Sequence, residues 1–189
     1  GTSYVVRALA NGSTRYFAVA AYDDAGNESD LTYEDIFDTP RPEGSGLLLT
    51  NYLSDPDRAG WDFSEFLVRP YDHPEVDVYY ARSGSLAQMI APFEDTEIQD
   101  AGYATDLDAV DYAPPSGWSP TGTVELIPGH CYVVWTHGDH YAKFRVTRLT
   151  TTSVELDWAY HVDPGNPALR PDRAPEGGAR VRRVLPRGA

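Results

Sequence analysis

Residues 129–160 read GHCYVVWTHGDHYAKFRVTRLTTTSVELDWAY, and they spell three consecutive antiparallel strands. Gly138-Asp139 serves as a two-residue turn, because Gly supplies a positive φ and Asp tolerates one. That turn pairs Trp135 with Ala142, Val133 with Phe144 and Cys131 with Val146, placing six small or apolar residues on one face. Thr136, Val134 and Tyr132 then share the opposite face with Tyr141, Lys143 and Arg145. A slip of one residue would carry Lys143 and Arg145 into the apolar set, so burial selects this register. After a Thr-rich turn, Val154, Leu156, Trp158 and Tyr160 alternate with Glu155, Asp157 and Ala159. The expectation is a meander with one buried side and one wet side.

Working outward, 189 residues suit one or two domains, and 41% hydrophobic content is ample for a packed core. Thirteen Tyr and four Trp against one Met and one Cys lean toward a β-rich extracytoplasmic protein. The single Cys131 has no internal disulfide partner and reads as a small buried thiol. No apolar run approaches about 18 residues, so no membrane-spanning helix is expected. The opening Gly1-Thr2-Ser3, without an initiator Met, reads as a processed product or an excerpt of a longer protein.

The net charge of -14 is unevenly placed. Six Arg against Asp172 and Glu176 leave residues 166–189 at +4 and the remainder at -18. An acidic body argues against nucleic acid and anionic membrane as partners, since both select basic surfaces. A basic tail on an acidic body is either a solvated linker or a segment that docks on a body, its own or a neighbour's.

Residues 4–9 (YVVRAL), 14–22 (TRYFAVAAY) and 31–37 read as strands, with Asn11-Gly12 a turn and Phe17, Val19 and Ala21 on one face. Residues 39–46, rich in Pro and Gly, read as a linker. A second β-rich domain is expected over residues 47–163. It has strands at 47–52 and 76–81, an aromatic alternation from Trp61 to Phe63, and a loop through Pro114-Pro115-Ser116-Gly117-Trp118. Ser85–Ile90 fits one or two helical turns, and Thr105–Val110 a short helical piece with Thr105 as cap. Val124–Ile127 leads into the meander.

Leu9, Asn11-Gly12, Thr14, Phe17, Val19, Ala21-Tyr22-Asp23 and Gly26-Asn27-Glu28-Ser29 resemble the last strands of a fibronectin type III domain. The likeness covers about residues 3–38 and implies an extracellular bacterial β-sandwich module. Such a module has seven strands, and three are expected here; its corner tyrosine would fall at position 15, which is Arg15. A three-strand remnant leaves a face and an edge to be covered by something else. The acidic run Asp23–Asp30 offers hard oxygen ligands but lacks the spacing and terminal Glu of an EF-hand, and an ordinary fibronectin loop accounts for it.

The second region resembles the HmuY-like bacterial haem-binding lipoproteins, through Trp61-Asp62-Phe63, Tyr132-Val133-Val134-Trp135-Thr136 and Tyr141-Ala142-Lys143-Phe144-Arg145-Val146. That resemblance implies a β-rich fold and haem held between two histidines. His137 and His140 flank the expected turn as a cross-strand pair, with Cβ atoms about 5 Å apart at the rim of the apolar face. They are either polar turn residues or ligands for a transition metal or haem, which neutral imidazole suits.

No G-x-S-x-G, H-E-x-x-H, P-loop or dinucleotide fingerprint occurs, and no acidic pair has a setting that marks it as catalytic. An enzyme is not expected. The fold class expected is all-β, a partial fibronectin-III-like sandwich followed by a second antiparallel β-rich domain ending in a meander. Three functions remain open at the cell surface or outside it. One is a monomeric adhesion module, and another a haem or small-ligand binder using His137 and His140. The third is a non-catalytic subunit of a larger assembly, contacting other copies of itself or other surface proteins. In that reading Ala179–Leu185, with Arg180, Val181, Arg182, Arg183 and Val184, adds as a strand to a neighbour's open edge.

Overall fold

The computed structural model of the chain describes residues 6–33 and 36–170. The chain is all-β, built on two antiparallel five-stranded sheets. Twelve strands are described: β1 Arg15–Phe17, β2 Ile36–Asp38, β3 Glu43–Thr50, β4 Gly60–Asp62, β5 Leu67–Arg69, β6 Val78–Ser83, β7 Leu86–Ile90, β8 Glu97–Tyr103, β9 Thr123–Glu125, β10 His130–Trp135, β11 Tyr141–Leu149 and β12 Ser153–Tyr160. The first sheet runs β3-β12-β11-β10-β8 and the second β5-β4-β6-β7-β9, while β1 and β2 form a separate two-stranded ribbon. The two large sheets close over one core in which Tyr132, Val134, Phe144 and Leu156 meet Val78, Tyr80 and Met89. The meander 129–160 is therefore present, and β12 buries Val154, Leu156, Trp158 and Tyr160 as its alternation predicts.

The register of β10 against β11 differs from the expected one by one residue. Trp135 pairs with Tyr141, Val134 with Ala142, Val133 with Lys143, Tyr132 with Phe144 and Cys131 with Arg145. The cause lies in the turn. The loop has three residues, His137-Gly138-Asp139, and Asp139 rather than Gly138 takes the left-handed conformation, at φ 60°. Asp139 N donates to Thr136 O at 3.0 Å and Thr136 N to His140 O at 2.8 Å, the pattern of a three-residue hairpin. Asp139 is anchored by Trp135 Nε1, which donates to its Oδ1 at 2.8 Å.

The slip puts Lys143 opposite Val133, on the face away from the main core. That face is not wet. Residues 104–113 and 167–170 lie across it, and Val133 packs with Ala113 and Leu169 in a second small cluster. Lys143 is fully buried beneath them. Its ammonium donates to the carbonyls of Leu107 and, at 3.0 Å, Val110, and stands 3.8 Å from Asp108 Oδ1. Burial pulls its pKa down from 10.5 to about 8. Cys131 is also buried on this outer face, 3.7 Å from Asp106 O, and burial pushes its thiol up to about 11.

Other expectations are corrected locally. Leu86–Ile90 is a strand, not a helix, because Gly84-Ser85 turns the chain tightly and Ala87 and Met89 alternate into the core. The helical piece is one 3-10 turn, Leu107–Ala109, capped by Asp106, whose carboxylate accepts from Ala109 N at 3.0 Å, not by Thr105. Residues 43–46 are not linker but the start of β3, pairing with β12. Gly44 is needed there, since a Cβ would lie 2.7 Å from the Trp158 indole nitrogen. Glu97–Tyr103, not foreseen as a strand, forms the edge β8.

The N-terminal expectation is met only in part. Residues 6–9 are not strand, and the run 14–22 contributes only Arg15–Phe17, which pairs with Ile36–Asp38. Asp23 closes the acidic loop, its Oδ1 accepting from Ala25 N and Asn27 N at 2.9 and 2.8 Å. The ribbon meets the sandwich near Gly12, whose N donates to Pro40 O at 2.8 Å and whose Cα faces Val162. Tyr16, Val19, Tyr22, Leu31 and Tyr33 are 55–81% exposed. Arg180, Val181, Arg182, Arg183 and Val184 lie outside the described residues.

Candidate functional site

Because the turn after β10 holds three residues, His137 leaves the ladder and His140 takes its place opposite Thr136. The two histidines are thus not a cross-strand pair. Both nevertheless line one cleft of about 660 Å³, formed by the hairpin tip, residues 74–77, residues 93–95, Ser64 and Tyr160. Its size lies in the range of small-ligand sites.

The walls combine carboxylates with apolar side chains. His137 Nδ1 is paired with Asp95, an exposed contact that raises the imidazole pKa. His140 Nδ1 donates to His161 O at 2.9 Å, and its ring stacks on Tyr160 at 5.2 Å. A carbonyl only accepts, so Nδ1 carries the hydrogen and Nε2 of neutral His140 keeps its lone pair. Glu75 and Glu94 stand exposed, and Pro74, Val76, Phe93 and Tyr160 supply apolar surface.

Asp77 is the least ordinary group in the cleft. It is 7% exposed, and its Oδ2 accepts from Phe63 N at 2.7 Å. Burial first, then the nearby Asp62 and Glu75 charges, raise its carboxyl from 3.8 to about 7, against the backbone bond and the pull of His137. Asp62 is also buried but is held differently. Its Oδ1 accepts from Ser64 N, Ser64 Oγ and Glu65 N at 3.0, 2.8 and 3.0 Å, and Arg69 pairs with its Oδ2 at 3.3 Å. Asp62 therefore shapes the β4–β5 turn, while Asp77 forms no ion pair among the described residues.

Asp77 was passed over in sequence because Val76-Asp77-Val78-Tyr79-Tyr80 alternates, which assigns the carboxylate to the wet side. The available signal was a single acid inside an apolar β-run. The remaining histidines serve elsewhere. His130 pairs with Asp100 at 3.0 Å, and His73 Nδ1 accepts from Glu75 N at 3.1 Å. Among the described residues, no three His, Cys, Asp or Glu side chains are grouped to hold a metal ion. Glu75, Asp77, Glu94 and Asp95 make this lining acidic.

The arrangement can hold a positive group by charge, and Asp77 can exchange a proton near neutral pH. Compared with known proteins, the chain matches no family model, no curated protein and no solved structure. Among the described residues, no helix is long and apolar enough to cross a membrane.

Proposed function

We propose that this chain is a non-catalytic structural and interaction protein, one subunit of a larger assembly at the cell surface or outside it. The ribbon region, residues 6–38, is completed by a strand from a neighbouring copy. The observation that supports this is the exposure of Tyr16, on a ladder only three residue pairs long, and of Val19, Tyr22, Leu31 and Tyr33 in the loops beyond it. Two such strands are at best marginally stable in water, and large exposed apolar patches mark contact surfaces.

Charge favours a second copy as the partner. Asp23, Asp24, Glu28 and Asp30 sit beside these apolar residues, and Ala179–Leu185 offers Arg180, Arg182 and Arg183 interleaved with Val181 and Val184. Strand addition would give main-chain bonds to an open edge, with valines covering aromatics and arginines meeting carboxylates.

Light scattering on the full chain tests this. The native protein is expected as an oligomer that loosens in high salt. Tyr16→Ser with Val19→Ser and Tyr33→Ser is expected to be monomeric with an unchanged sandwich by near-ultraviolet circular dichroism. A native chain that stays monomeric at every concentration would overturn the proposal.

A further inference from the structure

We propose that the cleft at the tip of the β10–β11 hairpin is a binding site for an alkylguanidinium or alkylammonium group, with Asp77 as its counter-ion. This reading does not rest on the assembly proposed above, whose arginines enter only as a competing source of the cation in the test. Its basis is a mismatch between two buried carboxylates. Asp62 has Arg69 and three donors around it, whereas Asp77 has one backbone donor and no cation among the described residues. Leaving a buried carboxylate without a counter-charge is unfavourable, so a cation brought from outside has a defined place to gain energy.

The rest of the cleft suits the same ligand. Glu75 and Glu94 extend the negative field to the rim, and Asp95 is already engaged with His137. Val76, Phe93 and Tyr160 give an alkyl stem something to pack on. The lining repels phosphates and carboxylates, which removes the commoner anionic metabolites from consideration.

Protonation sets when the site is open. The charged and titratable groups acting on Asp77 are Asp62, Glu75 and His137, with Tyr160 beside it in the cleft. Asp62 is held by Arg69, and burial pushes the Tyr160 hydroxyl up to about 12, leaving it neutral. As pH rises through about 7, Asp77 gains its charge, and His137, whose pKa the Asp95 contact raises, loses its own only above the usual imidazole range. Both changes favour a cation, so binding strengthens with pH.

Calorimetric titration of the full-length chain with agmatine tests this. Saturable one-site binding is expected at pH 8, at least fivefold weaker at pH 5.5. Asp77→Asn is expected to weaken it about tenfold, the worth of one lost charge-assisted contact. Glu94→Gln, a surface change that leaves folding intact, should weaken it severalfold and serves if Asp77→Asn misfolds. A chain carrying Arg180→Ala, Arg182→Ala and Arg183→Ala separates the sources of the cation. Tighter agmatine binding in that chain means the protein's own arginines compete for the cleft, and unchanged binding means a free amine is the natural ligand. No saturable binding up to about 10 mM, or equal affinity in the native and both carboxylate variants, overturns the proposal.

Discussion

Replacing Asp77 by Asn should make the protein's stability less dependent on pH. The folded carboxyl titrates at about 7 against 3.8 for the free group. Between those values the folded state holds a proton that the unfolded chain has released, so native stability falls as pH rises from about 4 to 7. The full shift corresponds to about 4 kcal/mol at 1.36 kcal/mol per pH unit. Over the practical interval from pH 5 to pH 8, the same two values give roughly 2–3 kcal/mol. Asn keeps an oxygen to accept from Phe63 N and carries no charge. The difference in unfolding free energy between Asp77→Asn and the native chain should therefore move by roughly 2–3 kcal/mol in favour of the variant from pH 5 to pH 8. Urea unfolding followed by Trp fluorescence measures it, with equal m-values as the check that the variant folds alike. Parallel pH profiles for Asp77→Asn and the native chain, within about 0.5 kcal/mol, would refute the claim that Asp77 is a buried, uncompensated acid.

Two further predictions test the packing. Gly44→Ala places a methyl 2.7 Å from Trp158 Nε1, across the β3–β12 ladder, and should cost about 1–3 kcal/mol in urea unfolding with a shift in Trp fluorescence. Lys143 has its pKa lowered to about 8 in the folded state, so the unfolded chain binds more protons between 8 and 10.5 and stability rises with pH there. Against Lys143→Met, which lacks this titration, the native chain should gain about 2 kcal/mol between pH 7 and pH 9.5.

The all-β class and the meander were legible because β12 buries every second residue, and no tertiary detail is needed to see that. The register of its neighbours was not legible, for two physical reasons. Loop length decided it, and Gly138 looked like the natural positive-φ residue while Asp139 took that role with Trp135 holding its carboxylate. The burial test then misled, because it treats lysine as a surface residue. Lys143 is buried with its donors met by backbone carbonyls of residues 107 and 110, a solution made by a segment more than thirty residues away. Similarly, His137 and His140 drew attention by identity and do share a cleft, but Asp77, the group that gives the cleft its character, looked like a routine polar position in an alternating strand.

Asp139 links the buried lysine to the cleft. A two-residue turn would have left His137 and His140 facing each other across the hairpin end, with Val133 and Trp135 rather than Tyr132 and Val134 on the core side. By taking the left-handed conformation, Asp139 adds a residue to the loop and turns β10 over relative to β11. Tyr132 and Phe144 then stack in the core at 4.9 Å, and Val133 joins Lys143 under the outer cover. The same extra residue frees His137 from the ladder, so that it pairs with Asp95 at the cleft instead of with the strand opposite. Gly165 N reaches Asp139 O at 2.6 Å, tying the chain that follows β12 to this turn. The turn thus fixes the core register and the cleft's charge pattern together, and a change that shortens the loop by one residue has to disturb both.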